Sequence, residues 1–226
     1  MTSFGARRQP SVPQAAPALL AQLQQLPVAL VSDNLHRGTG SVGLRAWHKP
    51  SHATMAGTAV TVRTRAGDNL AVLRAFDYCR PGDVLVIDAG GDVTNAVIGG
   101  IMTAGAAMLG LAGVVIDGAI RDAAEIGERD FPVFARGTNH RGPYKNGPGE
   151  INVPVTIAGM PVNPGDMIVG DADGVVAVPL ASAERVLASA AAIRQKEDAV
   201  MRSIEAGTLD RAWVDETLRQ KGYRLP

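Results

Sequence analysis

The side chains best suited to chemistry lie between Gly99 and Glu125, in the run GGIMTAGAAMLGLAGVVIDGAIRDAAE. A glycine pair opens an apolar run with helical spacing, and the free N–H groups at the start of a helix bind anions. The backbone at Gly99, Gly100, Ile101 and Met102 could therefore hold a carboxylate without a charged side chain. The alternative is that the glycine pair is only a bend.

Three charged residues follow the apolar strand GVVID: Arg121, Asp122 and Glu125. A guanidinium placed after a buried strand must be paired, and its planar fork suits a carboxylate or an enolate. Asp122 is either a metal ligand or an N-cap of the next helix. Glu125, three residues on, shares its helix face, and two carboxylates on one face suit Mg²⁺ or Mn²⁺. The stretch predicts a pocket that holds a small oxo-acid against a divalent metal.

The flanking sequence predicts the elements that must position these residues. We expect strands at 55–64, 84–89, 113–117 and 132–136, with helices at 69–79, 92–98, 101–109 and 122–128. A helix over 14–37, broken at Pro27, precedes them. Short strands at 151–157, 160–162, 166–169 and 174–179 and two helices at 181–205 and 208–221 follow. This order predicts an α/β fold with a central sheet, a second β layer and flanking terminal helices. Residues 1–13 are expected to be a flexible tail, and 14–226 one domain.

Composition excludes several classes of protein. Hydrophobic residues make up 46% of the 226 residues, and the formal net charge is zero, which argues against broad nucleic-acid binding. No apolar run is long enough for a membrane span, and no secretory signal pattern is present. The single cysteine, Cys79, cannot form an internal disulfide and is expected to lie in the core. We therefore expect a cytoplasmic protein without membrane or nucleic-acid partners.

Two other segments have competing interpretations. The run Gly38-Thr39-Gly40-Ser41-Val42-Gly43 spells G-x-G-x-x-G, but it lacks the preceding strand and following helix of a dinucleotide site, which favours a flexible loop. The turn-rich segment 137–150 carries His140, Arg141, Tyr144 and Lys145. Its composition favours a solvated loop over a binding loop.

Four motifs together resemble the RraA-like family. They are GG-D-x-x-x-A-x-x-GG, A-x-x-x-G-x-x-GVVIDGAIRD, PVFARG and NVPV-x-I-x-G-x-x-V-x-PGD-x-I-x-x-D-x-DGVV-x-VP, and the resemblance covers roughly residues 26–180. The family contains 4-hydroxy-4-methyl-2-oxoglutarate aldolases, oxaloacetate decarboxylases and the regulator of ribonuclease activity A. The resemblance implies a swivelling β/β/α layered domain, assembled as a homotrimer or homohexamer with sites between subunits.

The family's site motif is a glycine, twenty residues, Arg-Asp, two residues and an acidic residue, which here are Gly100, Arg121, Asp122 and Glu125. The resemblance implies that Arg121 binds the substrate's carboxylate and keto oxygen. Asp122 would bind Mg²⁺ or Mn²⁺ directly, and Glu125 would orient metal-bound waters. The backbone from Gly99 to Met102 would grip the pyruvyl carboxylate. Some aldolases of the family carry an aspartate where this chain has Gly100.

The implied activity is a metal-dependent C–C lyase that acts on 2-oxo acids through a pyruvate enolate. Aldol cleavage needs a base for the 4-hydroxyl proton, whereas decarboxylation of oxaloacetate needs none. Because the motif holds neither histidine nor lysine, metal-bound water is the expected proton carrier. The alternative is a non-catalytic regulator that binds a ribonuclease.

Overall fold

The computed structural model describes residues 13–35, 37–49 and 54–224. Its strands are β1 (Arg45–Ala46), β2 (Met55–Thr64), β3 (Asp83–Asp88), β4 (Ala96–Ile98), β5 (Gly113–Ile120), β6 (Val133–Thr138), β7 (Gly149–Ile151), β8 (Val155–Ile157), β9 (Met160–Val162), β10 (Met167–Asp171) and β11 (Gly174–Val178). Its helices are α1 (Pro17–Leu23), α2 (Val28–Asp33), α3 (Leu70–Ala75), α4 (Gly100–Met108), α5 (Ala123–Gly127), α6 (Ala183–Glu205) and α7 (Ala212–Gln220).

Nine of these strands form one mixed sheet, in which seven follow the order β1-β6-β5-β3-β2-β10-β11 and β4 and β7 pair beside this path with β5 and β2. Strands β2, β3, β5 and β6 run parallel, whereas β1, β7, β10 and β11 pair antiparallel with their neighbours. Strand β4 pairs parallel with β5, beside the main path, and β8 and β9 form a separate hairpin. The carboxyl ends of the four central parallel strands consequently face one edge of the sheet, where ligands bind in open α/β sheets.

Strand β5 is the centre of the fold. Every residue from Gly113 to Ile120 is buried, as expected for a parallel strand that is covered on both faces. Its first half lies between β3 and β6, and its pairing with β6 shifts register between Ile116 and Ala119. The strand delivers Arg121 to the carboxyl edge of the sheet.

Three apolar clusters show the layers. Leu85, Ile116 and Ile126 belong to a core between the sheet and helices α3 to α5. Val86, Val115 and Ile157 belong to a core between the opposite face and the β8–β9 hairpin. A third cluster joins α1, α2 and α6 to β10 and β11, and it includes Leu23, Val31, Val176 and Val186. This arrangement confirms the predicted α/β fold with a second β layer and flanking terminal helices.

The short helix predicted over 92–98 is wrong, because β4 (Ala96–Ile98) occupies that segment. Strand β3 ends opposite Asp117, so the last residues of β5 need another partner, and Ala96 and Ile98 pair with them. The predicted break at Pro27 is confirmed, since this residue separates α1 from α2. The predicted flexible tail lies outside the described residues except for its last residue, Pro13.

The G-x-G-x-x-G segment is a loop, and the single cysteine is partly buried. The segment 38–43 follows α2 and leads into β1, so it does not join a strand to a helix, and the predicted loop is confirmed. Cys79 packs against the helix-side core, and its thiol donates to the Ala75 carbonyl at 3.4 Å. Burial, with a smaller contribution from Asp83, raises the pKa of Cys79 to about 12, which keeps the thiol protonated and unreactive.

No helix within the described residues combines the length and the apolar character needed to cross a membrane.

The packing of β5 gives a first prediction. Ile116 is fully buried between strands and helices, so Ile116→Ala should lower the free energy of unfolding by about 2–4 kcal/mol through lost contacts and a cavity. Urea denaturation measures this change. Val42→Ala, at a position that is 77% exposed, is the control and should change stability by less than about 0.5 kcal/mol. Equal effects of the two substitutions would contradict the central position of β5.

Candidate active site

Arg121 lies directly after β5, among the loops at the carboxyl edge of the sheet. Its backbone N–H donates to the Ile98 carbonyl at 3.0 Å, which fixes the residue beside the end of β4. Its Nε lies 3.6 Å from Asp122 Oδ2, and the side chain is 43% exposed. On the far side, a Cβ added at Gly142 would lie 3.0 Å from Arg121 Nη1. The guanidinium is therefore paired, as the sequence predicted, while remaining open to a ligand.

Asp122 sits in a strained backbone conformation that aims its carboxylate away from its own helix. Its φ and ψ are 58° and 36°, in the left-handed region, which costs a non-glycine residue about 1 kcal/mol or more. Its side chain makes no capping bond to α5. Instead, Asp122 Oδ2 accepts a hydrogen bond from the Gly100 N–H at 3.0 Å. The alternative that Asp122 only caps its own helix is wrong, because the carboxylate caps α4.

The glycine pair is needed for this close approach. A Cβ at Gly99 would lie 2.8 Å from Arg121 Cγ, and one at Gly100 would lie 2.8 Å from the carboxylate carbon of Glu125. A side chain at Gly99 would thus collide with the stem of Arg121, and one at Gly100 would displace the Glu125 carboxylate, so the pair is more than a bend. The Gly100 N–H, expected to grip a substrate carboxylate, already donates to Asp122.

Glu125 brings a second carboxylate to the same place. It contacts Gly100 on one side, forms an ion pair with Arg129 four residues later and is 53% exposed. Asp122 and Glu125 together offer hard oxygen donors, a set that fits Mg²⁺ or Mn²⁺ completed by water. Across the described ranges, no group of three or more His, Cys, Asp and Glu side chains is arranged to hold a metal ion. Any metal at this site would thus rely on these two carboxylates and water.

Two cavities flank the Arg121–Asp122 pair, and both residues line each of them. The first, here called the helix-side cavity, has a volume of about 370 Å³ and is bordered by Gly99, Ile101, Met102 and Lys145. The second, the loop-side cavity, has a volume of about 510 Å³ and is bordered by Ala123, Thr138, Asn139 and His140. The structure thus brings the predicted residues Gly99, Ile101, Met102, Arg121 and Asp122 together. Gly100 and Glu125 border neither cavity.

Nothing in the sequence indicates that Asn69 belongs to the site. The loop that contains His140 and Lys145 is predicted from its composition to be solvated and not to bind a ligand. Asn69 borders the helix-side cavity, and its Nδ2 donates to the Val97 carbonyl at 3.1 Å. The loop side chains are exposed, as expected for a solvated loop, yet His140 and Lys145 line the two cavities. A turn-rich composition carried no signal that the loop folds back over the end of β5.

The buried carboxylate of Asp68 holds the second half of this loop in place. Its Oδ2 accepts hydrogen bonds from the N–H groups of Asn146 and Gly147 at 2.7 and 3.1 Å, and its Oδ1 accepts one from Leu70 at 2.9 Å. Burial alone would raise the pKa of Asp68, but the three N–H donors and the charge of Arg65 outweigh it and lower the pKa. The anchor fixes the backbone that presents Lys145 to the helix-side cavity.

Asp68→Ala should therefore destabilise the protein in a pH-dependent manner. It leaves three N–H groups without their acceptor, which should cost about 2–4 kcal/mol near pH 7. Because the pKa of Asp68 is lower in the folded protein than in the unfolded chain, its contribution to stability is complete above the unfolded pKa of about 3.9. The contribution is lost as the pH falls through the folded pKa.

Urea denaturation between about pH 7 and pH 3 measures the free energy of unfolding of both proteins. The difference in this free energy between wild type and Asp68→Ala should become smaller in acid. Asp198→Asn, on the exposed part of α6, is the control. A difference in unfolding free energy that stays constant down to the lowest pH would show that the ionised carboxylate does not anchor the loop.

Comparison with known proteins agrees with this fold. The RraA-like (Aldolase/RraA) family model matches residues 28–177. A protein of Halalkalibacterium halodurans that carries the provisional name 4-hydroxy-4-methyl-2-oxoglutarate aldolase is 40% identical over 208 residues, covering 91% of this chain and 98% of that protein.

Two solved structures share the fold. An uncharacterised protein of Pseudomonas syringae pv. tomato has a TM-score of 0.76 and 30% identity, covering 88% of this chain and 95% of that one. Streptomyces coelicolor RraAS2, described as an unusual member of the RNase ES inhibitor RraA family, has a TM-score of 0.74 and 28% identity, covering 83% and 97%. With the family model matching well over half of its length, the chain belongs to the RraA-like family.

Proposed function

We propose that this protein is a divalent-metal-dependent lyase that cleaves a C–C bond in 2-oxo acids through the enolate of pyruvate. The observation that carries the proposal is the convergence of Arg121, Asp122 and Glu125 on the glycine pair at the start of α4. A relative named, provisionally, as a 4-hydroxy-4-methyl-2-oxoglutarate aldolase supports the same reaction class.

Arg121 is the residue that stabilises the reacting oxygen. Its guanidinium is held between Asp122 and the loop at Gly142, yet remains open to both cavities. Such a fixed cation is effective where negative charge develops, as it does on the C2 oxygen when the enolate forms. The same guanidinium also suits the neighbouring carboxylate of a 2-oxo acid.

Asp122 would hold the metal directly, and Glu125 would act on it through water. The Gly100 N–H fixes the orientation of the Asp122 carboxylate. Glu125 lies against Gly100 and borders neither cavity, which suits an indirect role. When bound, the ion supplies Lewis-acid polarisation of the 2-keto group.

The substrate class follows from the charges around the helix-side cavity. Arg121 and Lys145 both border it, so each end of a dicarboxylic 2-oxo acid has a cation available. Oxaloacetate and 4-hydroxy-4-methyl-2-oxoglutarate both have this form. We propose that Arg121 holds the pyruvyl end and Lys145 the distal carboxylate.

Assembly as a homotrimer or homohexamer, with sites between subunits, is also proposed. It is supported by large apolar side chains that α6 and α7 leave exposed, namely Val200, Met201, Ile204 and Trp213. The alternative function, binding of a ribonuclease, rests on the description of the Streptomyces coelicolor relative. Capture of ribonuclease E by a protein that forms no pyruvate would favour that alternative.

Arg121→Ala should lower the rate of pyruvate formation from oxaloacetate by about 100- to 1000-fold, because the enolate oxygen loses its cation. A coupled assay with lactate dehydrogenase and added Mg²⁺ measures the rate. Arg74→Ala is the matched control, since this exposed arginine of α3 borders neither cavity. Full activity of Arg121→Ala would refute the proposed lyase site.

Asp122→Asn should weaken Mn²⁺ binding by about tenfold or more, since it removes a charged ligand but keeps an oxygen for the Gly100 N–H. Electron paramagnetic resonance of free Mn²⁺ measures binding directly, without reference to activity. Glu125→Gln should have a smaller effect because its role is through water. Unchanged Mn²⁺ affinity in both variants would show that these carboxylates do not bind the metal and would contradict the proposed metal site.

A further inference from the structure

The buried amide of Asn69 carries an unused hydrogen-bond acceptor at the helix-side cavity. Asn69 is only 3% exposed, and its Oδ1 is buried without a donor among the residues that the structure describes. Buried polar atoms of folded proteins are almost always paired, so an unpaired one calls for an explanation. Resting on the proposed function, we propose that Asn69 Oδ1 binds the C4 hydroxyl group of the substrate, so that the site selects 4-hydroxy-2-oxo acids over oxaloacetate.

The orientation of the amide follows from the contacts of its nitrogen. Asn69 Nδ2 donates to the Val97 carbonyl at 3.1 Å and contacts Met102 Sδ at 3.4 Å. Exchanging the amide nitrogen and oxygen would set two carbonyl oxygens against each other, which is unfavourable. The nitrogen therefore stays beside Val97, and the oxygen is the atom that remains unpaired within the described ranges.

The side chain of Asn69 does not make the bond that its place in the chain suggests. The residue stands at the N-cap position of α3, where an asparagine oxygen usually accepts from the first N–H groups of the helix. Its side chain makes no such capping bond. The backbone holds the residue instead, because its N–H donates to the Tyr144 carbonyl at 3.0 Å and its carbonyl accepts from the Leu73 N–H at 2.9 Å. Asn69 is thus fixed in place while its side-chain oxygen stays available.

The amide belongs to the wall of the cavity in which we place the substrate. Asn69, Val97 and Met102 all border the helix-side cavity. Arg121 and Lys145 border the same cavity, so a substrate held at its two ends by these cations has its C4 hydroxyl group between them. Met102 is half-buried and unbranched, and it touches the amide only through a weak sulfur contact. Its side chain can therefore yield to a ligand group that reaches Oδ1.

Only the hydroxyl group of such a substrate can pair with this oxygen. The carboxylates and the 2-keto oxygen are acceptors, whereas the 4-hydroxyl group carries a hydrogen and keto oxaloacetate has none. A site that hydrogen-bonds a substrate hydroxyl through a buried polar group discriminates against the analogue that lacks it. The amide oxygen is not a base near neutral pH, so Asn69 binds and orients the hydroxyl group. The O–H bond rotates freely and can release its proton to another group.

The test uses two competitors that differ only in the C4 hydroxyl group. 4-Hydroxy-2-oxoglutarate has it, whereas 2-oxoglutarate has the same two carboxylates and lacks it. Each should inhibit the release of CO₂ from oxaloacetate with Mg²⁺ present, and the inhibition constant measures its affinity. The wild type should bind the hydroxy compound about tenfold or more tightly than 2-oxoglutarate, the usual value of one such hydrogen bond in a buried site.

Asn69→Ala should remove this preference. The inhibition constant of 4-hydroxy-2-oxoglutarate should rise about tenfold, whereas that of 2-oxoglutarate should change by less than about threefold. A merely structural role, such as the bond to the Val97 carbonyl, would weaken the binding of both competitors equally. Arg74→Ala is the matched control and should keep the preference, because this exposed residue of α3 borders neither cavity.

The outcomes separate this inference from the proposed function. Equal affinity of the wild type for the two competitors would overturn the role of Asn69 without the use of any variant. An unchanged preference in Asn69→Ala, or an equal loss of affinity for both competitors, would also overturn it and leave the lyase assignment standing. A wild type that forms no pyruvate from oxaloacetate or from 4-hydroxy-2-oxoglutarate, with Mg²⁺ present, would refute the proposed function itself.

Discussion

The hydrogen bond from the Gly100 N–H to Asp122 Oδ2 is the contact on which the arrangement of the site depends. It joins the start of α4 to the turn after β5, two places separated by more than twenty residues in the chain. The bond places a carboxylate on the positive end of a helix, where its charge is stabilised. It also offsets the left-handed backbone at Asp122, which would otherwise be unfavourable. Arg121 Nε lies 3.6 Å from the same Asp122 oxygen, so the carboxylate that this bond orients is also the partner of the guanidinium.

The edge of the sheet explains why distant segments share this site. Loops that follow β2, β3 and β6 meet beside the end of β5, as shown by the backbone bonds of Asn139 to Ile120 and of Tyr144 to Gly67. The buried carboxylate of Asp68 then secures the far half of the last loop. The layers of the fold thus provide the stability, whereas the loops at one edge provide the chemistry.

Much of this could be predicted from the sequence, because apolar runs and turn residues are local signals. The strand at β5, the break at Pro27 and the closeness of Arg121 to the Asp122 carboxylate all follow from such patterns. Three features could not be predicted. The pairing of β4 depends on where β3 ends, the orientation of Asp122 depends on a helix in another segment, and the place of His140 depends on a loop folding back. Each is set by tertiary contact, which composition and periodicity do not encode.

The contact between Gly100 and Glu125 couples the two positions. A side chain at position 100 would occupy the space that the Glu125 carboxylate fills, so the Glu125 side chain would have to move and the effects of substitutions at the two positions should not be additive. An acidic group introduced at position 100 would also place a second negative charge against Glu125, so the coupling would be electrostatic as well as steric.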